Sequence, residues 1–124
     1  MSSAEPNGEQ LAAVSNAVVG ILSECYGRGP TKAKTYAFDE YMLCVLEDLL
    51  TTVERTLVDN GEEGLVRLVR LRFQETMQHR LRDTVQEIIG RPVIAYHSQV
   101  TFHPSVGFEL FVLGNSSGED GAGG

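Results

Sequence analysis

The sequence predicts an α+β fold, with helices packed on an antiparallel or mixed four-stranded sheet. Three observations carry that expectation. Apolar residues recur at spacings of three and four in two long stretches, and alternate or run on continuously in two others. Both long helical stretches end in a glycine with a proline soon after, Gly27 with Pro30 and Gly90 with Pro92. The strand-like runs come in adjacent pairs separated by helices, without the strand-helix alternation of a parallel sheet. The expected order is helix, hairpin, two helices, hairpin.

A chain of 124 residues holds one domain with a single core. That domain is expected over residues 7–113, with disordered tails at 1–6 and 114–124. The last eleven residues, Gly114 to Gly124, include no large apolar side chain to anchor a core.

The first helix is expected to begin near Asn7, whose side chain can cap the first N–H groups, with Gln10 completing a capping box. Leu11, Val14, Val18, Ile21, Leu22 and Cys25 then form one apolar stripe. Gly27 suits a left-handed cap, and Pro30 prevents further helix. From Lys32 the chemistry changes to that of strands. Lys32 to Phe38 alternates, Asp39-Glu40 forms a turn, and Tyr41 to Leu46 is almost continuously apolar. Such a run is expected of a central strand covered on both faces.

Thr51 and Glu54 carry a second capping-box signature, opening a short helix that ends at Asp59-Asn60-Gly61. A long helix follows, from Glu62 or Glu63 to Ile89. Its expected core stripe is Val66, Val69, Phe73, Met77, Leu81, Val85 and Ile88. Leu65, Leu68 and Leu71 add apolar surface on another side, which means either cover from the short helix or a subunit interface. Arg70 and Arg80 fall within or beside the stripe, as snorkelling stems or as an anion site. In the last hairpin, Ile94, Tyr96, Val100 and Phe102 are expected to face the core, and Phe108 to Leu113 forms the return strand.

No signal segment and no run of 18 apolar residues is visible, so the expected location is cytoplasmic. Cys25 and Cys44 sit inside periodic segments and read as small buried hydrophobes of a reducing compartment. His79, His97 and His103 share no ligand spacing, so neither metal nor cofactor is expected. There is no Gly-x-Ser-x-Gly elbow and no cysteine beside a basic residue, so no enzyme is expected. The net charge of −7 argues against nucleic-acid binding. It is unevenly spread, because six of ten basic residues lie between Leu65 and Arg91 beside only three acids. This asymmetry suits either an acidic or phosphate-bearing partner, or a helix that answers acids elsewhere in the assembly.

Gly27-Arg28-Gly29-Pro30-Thr31-Lys32 joins the first helix to the first strand. A P-loop is excluded, since its glycines precede a helix and these follow one. Two readings stay open. The segment makes a tight helix-to-strand crossing, or it offers main-chain N–H groups and the cations of Arg28, Lys32 and Lys34 to a small anion, with Gly29 and Thr31 shaping the site.

The stretch from Tyr26-Gly27-Arg28-Gly29-Pro30 through Lys34 resembles the hallmark of the MpsC-like family of small bacterial proteins. The segment Leu50 to Leu57, Arg72-Phe73, and Ile88-Ile89-Gly90-Arg91-Pro92-Val93 leading into Phe111-Val112-Leu113 fit the same pattern in order and spacing. The resemblance spans about Leu11 to Leu113. It implies a component of a sodium-translocating, membrane-potential-generating system, and it brings no catalytic residue with it. Without a membrane segment, the chain is expected to be a soluble accessory or regulatory subunit and not the transporter. The reading is then a non-catalytic interaction domain, a homodimer whose interface includes Leu65, Leu68 and Leu71, with a protein of the membrane system as a further partner. The alternative is a small-anion or nucleotide-fragment sensor at Gly27–Lys34.

Overall fold

The computed structural model describes residues 5–115. Its elements follow the predicted order: α1 (Gly8–Tyr26), β1 (Lys32–Phe38), β2 (Tyr41–Glu47), α2 (Thr52–Asp59), α3 (Glu63–Ile89), β3 (Val93–Phe102) and β4 (Ser105–Leu113). The expected tails fall largely outside the described residues. Gly114 is held in place, donating its N–H to Pro92 O at 2.8 Å and accepting from Arg91 Nε at 2.8 Å.

Local chemistry sets the boundaries. The Asn7 side chain accepts the Gln10 N–H at 2.8 Å, and Gln10 Oε1 accepts the Asn7 N–H at 2.9 Å. Gln10 Nε2 also donates to Ile88 O at 3.2 Å, fastening the start of α1 to the end of α3. Thr51 and Glu54 make the same reciprocal cap on α2. Gly27 and Gly90 end their helices at φ 84° and 77°, the left-handed region that glycine enters without steric cost.

The four strands lie in the order β1-β2-β4-β3, and every neighbouring pair is antiparallel. Two hairpins joined along β2 and β4 leave no parallel pair, which resolves the antiparallel-or-mixed expectation. The helices cover one face only. Val14, Val18, Ile21 and Leu22 of α1 and Met77, Leu81, Val85 and Ile89 of α3 pack against Met42, Cys44, Leu46, Phe111 and Leu113.

The other face departs from expectation. The expected cover on both sides of β2 is absent among the described residues. The register sets Tyr36, Leu43, Leu110 and His97 in one row across this outer face. Beside it run Lys34, Val45, Phe108 and Gln99 on one side, and Phe38, Tyr41, Val112 and Ala95 on the other. An antiparallel sheet with a solvated face ordinarily carries polar residues there. Here the centre is apolar.

Two further expectations need correction. Ile94, expected to face the core, is 58 % exposed, while Val93 is buried. A bulge sets two residues of β3 against one of β4 between Val93 and Ala95, which reverses the parity at this point. On α3, Val69 and Phe73 are exposed, and Ile89 is buried where Ile88 was expected to be. Steps of four residues advance about 40° beyond a full turn each time. The run from Val69 to Val85 therefore winds around the helix and cannot stay on one packing face.

Candidate functional site

Polar residues gather where a core would ordinarily be apolar. On the inner face the register places Thr35, Cys44, Glu109 and Ser98 in one row across all four strands. Ser15 of α1 extends the row, its Oγ lying 2.7 Å from Thr35 Oγ1. Glu109 is buried and its two oxygens are taken separately, one by the Tyr96 hydroxyl and the other by Ser98 Oγ at 2.6 Å. Burial pushes its carboxyl up to about 7, against the opposing pull of the two hydroxyl donors and the Arg70 charge. Burial and the adjoining carboxylate together push the Tyr96 phenol far above its ordinary range. Burial also raises the Cys44 thiol to about 11, which keeps it protonated and inert as a nucleophile.

Glu109 and Tyr96 line a cavity of about 210 Å³ between the helices and the sheet, walled by Tyr26, Met77 and Leu22 and flanked by Arg70. Arg70 is not free in it. Its Nε and Nη2 bond Glu54 at 2.7 and 2.6 Å, Nη2 also reaches Leu49 O at 3.1 Å, and the guanidinium lies 4.2 Å over the Tyr26 ring. Burial alone would raise the Glu54 carboxyl, but hydrogen bonds from Arg70 and Thr51 outweigh it and hold the group below its usual value. Arg80 is likewise paired, with both oxygens of Glu24 at 3.0 and 2.9 Å. The two arginines read from sequence as a possible anion site are thus bound to carboxylates of the chain itself.

The Gly27–Lys34 junction is held just as firmly. Arg28 Nη1 donates to Leu50 O, and its Nη2 lies 3.3 Å from Asp48, which also receives Arg55 at 3.0 Å. The Thr31 N–H donates to Glu47 O at 3.1 Å. A Cβ on Gly29 would stand 2.2 Å from Ser23 Oγ and 3.1 Å from Val19 O, so the chain passes closely against α1 and a side chain there would force Ser23 to move. Lys32 and Lys34 come together on the outer face of β1, and Lys34 Nζ sits 5.3 Å from the Tyr36 ring centre. Of the five predicted site residues, only these two keep their side-chain charge without an ion pair among the described residues.

Residues 7–115 match the family described as "Na+-translocating membrane potential-generating system (MpsC)". The chain belongs to the MpsC family. No curated protein and no solved structure matches it. Among the described residues of this MpsC chain, no helix is long and apolar enough to cross a membrane. No group of three His, Cys, Asp or Glu side chains among them could hold a metal ion.

The third predicted feature is an interface at Leu65, Leu68 and Leu71. The structure leaves all three exposed, together with Val69 and Phe73. The short helix α2 does not cover them; it buries Val58 and Glu54 instead. Phe73 leans on Tyr26 at 4.9 Å between ring centres. Sequence reasoning placed Glu54 only in a helix cap and Tyr96 only on the core face, and it missed Ser98, Glu109 and the apolar outer face of the sheet. A signal for the last two was present. In Phe108-Glu109-Leu110-Phe111-Val112-Leu113 a lone acid interrupts a strand that is apolar at both parities.

Proposed function

We propose that this MpsC-family chain is a non-catalytic interaction domain of the cytoplasm, working as a homodimer and accessory to a membrane ion-transport system. One observation carries the accessory role. Leu65, Leu68, Val69, Leu71 and Phe73 stand between 40 % and 48 % exposed along one half of α3. Leu65, Leu68 and Val69 fall within about 100° of arc, with Leu71 and Phe73 on opposite flanks, and exposed apolar surface of this kind marks interaction sites. Leu65, Leu68 and Val69 also have the i, i+3, i+4 spacing of anchors that enter a partner's groove. The interior supports the same reading, because Glu54 and Glu109 are both satisfied within the chain. The family description supports the link to a membrane system, and the α3 surface is the one we assign to a protein of that system.

No observation favours the anion-sensor alternative, since Arg28 is taken up by Asp48 and Leu50. The accessory role is tested in the host cell. Deleting the chain should lower the Na+-dependent membrane potential, and the wild-type chain should restore it. A Leu65→Asp/Leu68→Asp variant present at the same level should fail to do so. Full rescue by that variant would sink the α3 assignment. The homodimer is tested separately, by sedimentation at about 50 µM, well above the working range of a stable association.

A further inference from the structure

We propose that the outer face of the sheet docks a second copy of this chain, the two sheets stacking face to face about a two-fold axis that crosses the strands. This rests on the homodimer reading and assigns its interface.

The centre of the face has the composition of an interior, while Lys32, Lys34, Glu47, His97 and Gln99 lie toward its edges. Leu43, Val45, Phe108, Leu110 and Val112 occupy its two central strands in adjoining rows, bordered by Tyr36, Phe38 and Tyr41, which are 46 %, 52 % and 41 % exposed. Every packed helix lies on the opposite face. Four strands about 4.8 Å apart and about seven residues long make a surface roughly 19 by 24 Å in plan. In plan this is about 450 Å², at the small end of protein–protein interfaces, whose standard size is roughly 800 Å² per partner, and more than scattered surface residues present. A second sheet placed about 10 Å away would give β2 the second cover that its unbroken apolar sequence calls for.

Charge selects the occupant. One end of the face carries Lys32 and Lys34, with Glu47 opposite Lys32 in the register, and the other end closes in the Asp39-Glu40 turn. A two-fold axis across the strands lays β1 over its own copy with the direction reversed. The Lys32 end then meets Asp39 of the second copy, and the same contact forms twice. Tyr41 of the second copy approaches Glu47, a hydroxyl donor toward a carboxylate acceptor. Such self-complementarity is what a two-fold interface requires. An anionic lipid surface would instead call for a basic rim all round, and Asp39 opposes it at the turn, where Glu40 is paired with Arg91 at 3.4 Å.

The test is sedimentation of the full chain at about 50 µM, with circular dichroism to verify folding. The wild type should be a dimer. Leu110→Lys should be a folded monomer, while Leu68→Glu on α3 should stay dimeric. Lys32→Glu should weaken association about tenfold, and Lys32→Glu/Asp39→Lys should restore most of it. If Leu110→Lys does not fold, the Lys32 and Asp39 pair decides the matter alone, because both side chains are exposed. A folded, dimeric Leu110→Lys, or a Lys32→Glu variant that associates like the wild type, overturns this interface. Dissociation by Leu68→Glu alone does the same and leaves the homodimer reading standing. A monomeric wild type overturns both, as would a monomer that binds anionic phosphatidylserine vesicles through this face.

Discussion

Arg70 grips Glu54 with two parallel hydrogen bonds, Nε to Oε2 at 2.7 Å and Nη2 to Oε1 at 2.6 Å, while both side chains are about nine-tenths buried. One pair thereby joins three elements. Glu54 caps α2, Arg70 rises from α3, and Arg70 Nη2 also bonds Leu49 O in the segment after β2.

Removing one member strands the other. Arg70→Met should destabilise the chain by about 3 kcal/mol, since an unpaired buried carboxylate keeps its desolvation penalty. Urea unfolding should show a lower midpoint with an unchanged slope. Because the folded Glu54 carboxyl is held below its ordinary value, the stabilisation is present above that value and lost as pH falls through the folded one. Arg70→Met should abolish this acid-side loss.

Glu109 acts in the opposite sense. Its carboxyl is raised from 4.5 to about 7, so within that window the folded chain binds more protons than the unfolded one. Stability is then fully present below 4.5 and falls as pH rises to about 7. The loss is up to about 3 kcal/mol. Urea midpoints at pH 5.5 and pH 8 should differ accordingly, and Glu109→Gln should flatten the dependence. Equal midpoints in the wild type would contradict the burial argument.

Gly29 is fixed by contact. Gly29→Ala should cost about 1–3 kcal/mol, because the new Cβ overlaps Ser23 Oγ. Adding Ser23→Ala should recover part of the loss, leaving the tighter approach to Val19 O. Thermal melts of the single and double variants check this; no recovery would place the strain in the backbone instead.

The bulge in β3 predicts an inversion of the simple strand pattern. Ile94→Thr should change stability by no more than about 0.5 kcal/mol, as expected of an exposed site. Val93→Ala, at a buried neighbour, should cost about 2 kcal/mol. The reverse order would place Ile94 in the core after all.

The polar seam shows why parts of the molecule could not be read in advance. Thr35, Cys44, Glu109 and Ser98 are scattered over the chain and become one row only when the strand order and register are set. Arg28 looked available for an anion because Asp48, twenty residues away, carried no sign of turning toward it.

The sequence by itself determined the element order, the capping boxes of α1 and α2, the glycine stops and the α+β class. These depend on interactions within a few residues, where spacing and residue type are enough. Only the tertiary structure decided which arginines were already paired, where the bulge reversed parity, and which apolar surfaces stayed open. Leu110 and Phe111 are adjacent and equally apolar, yet one faces the helices and the other faces away. The pleat makes them alternate; the packing of helices on a single face determines which one is covered.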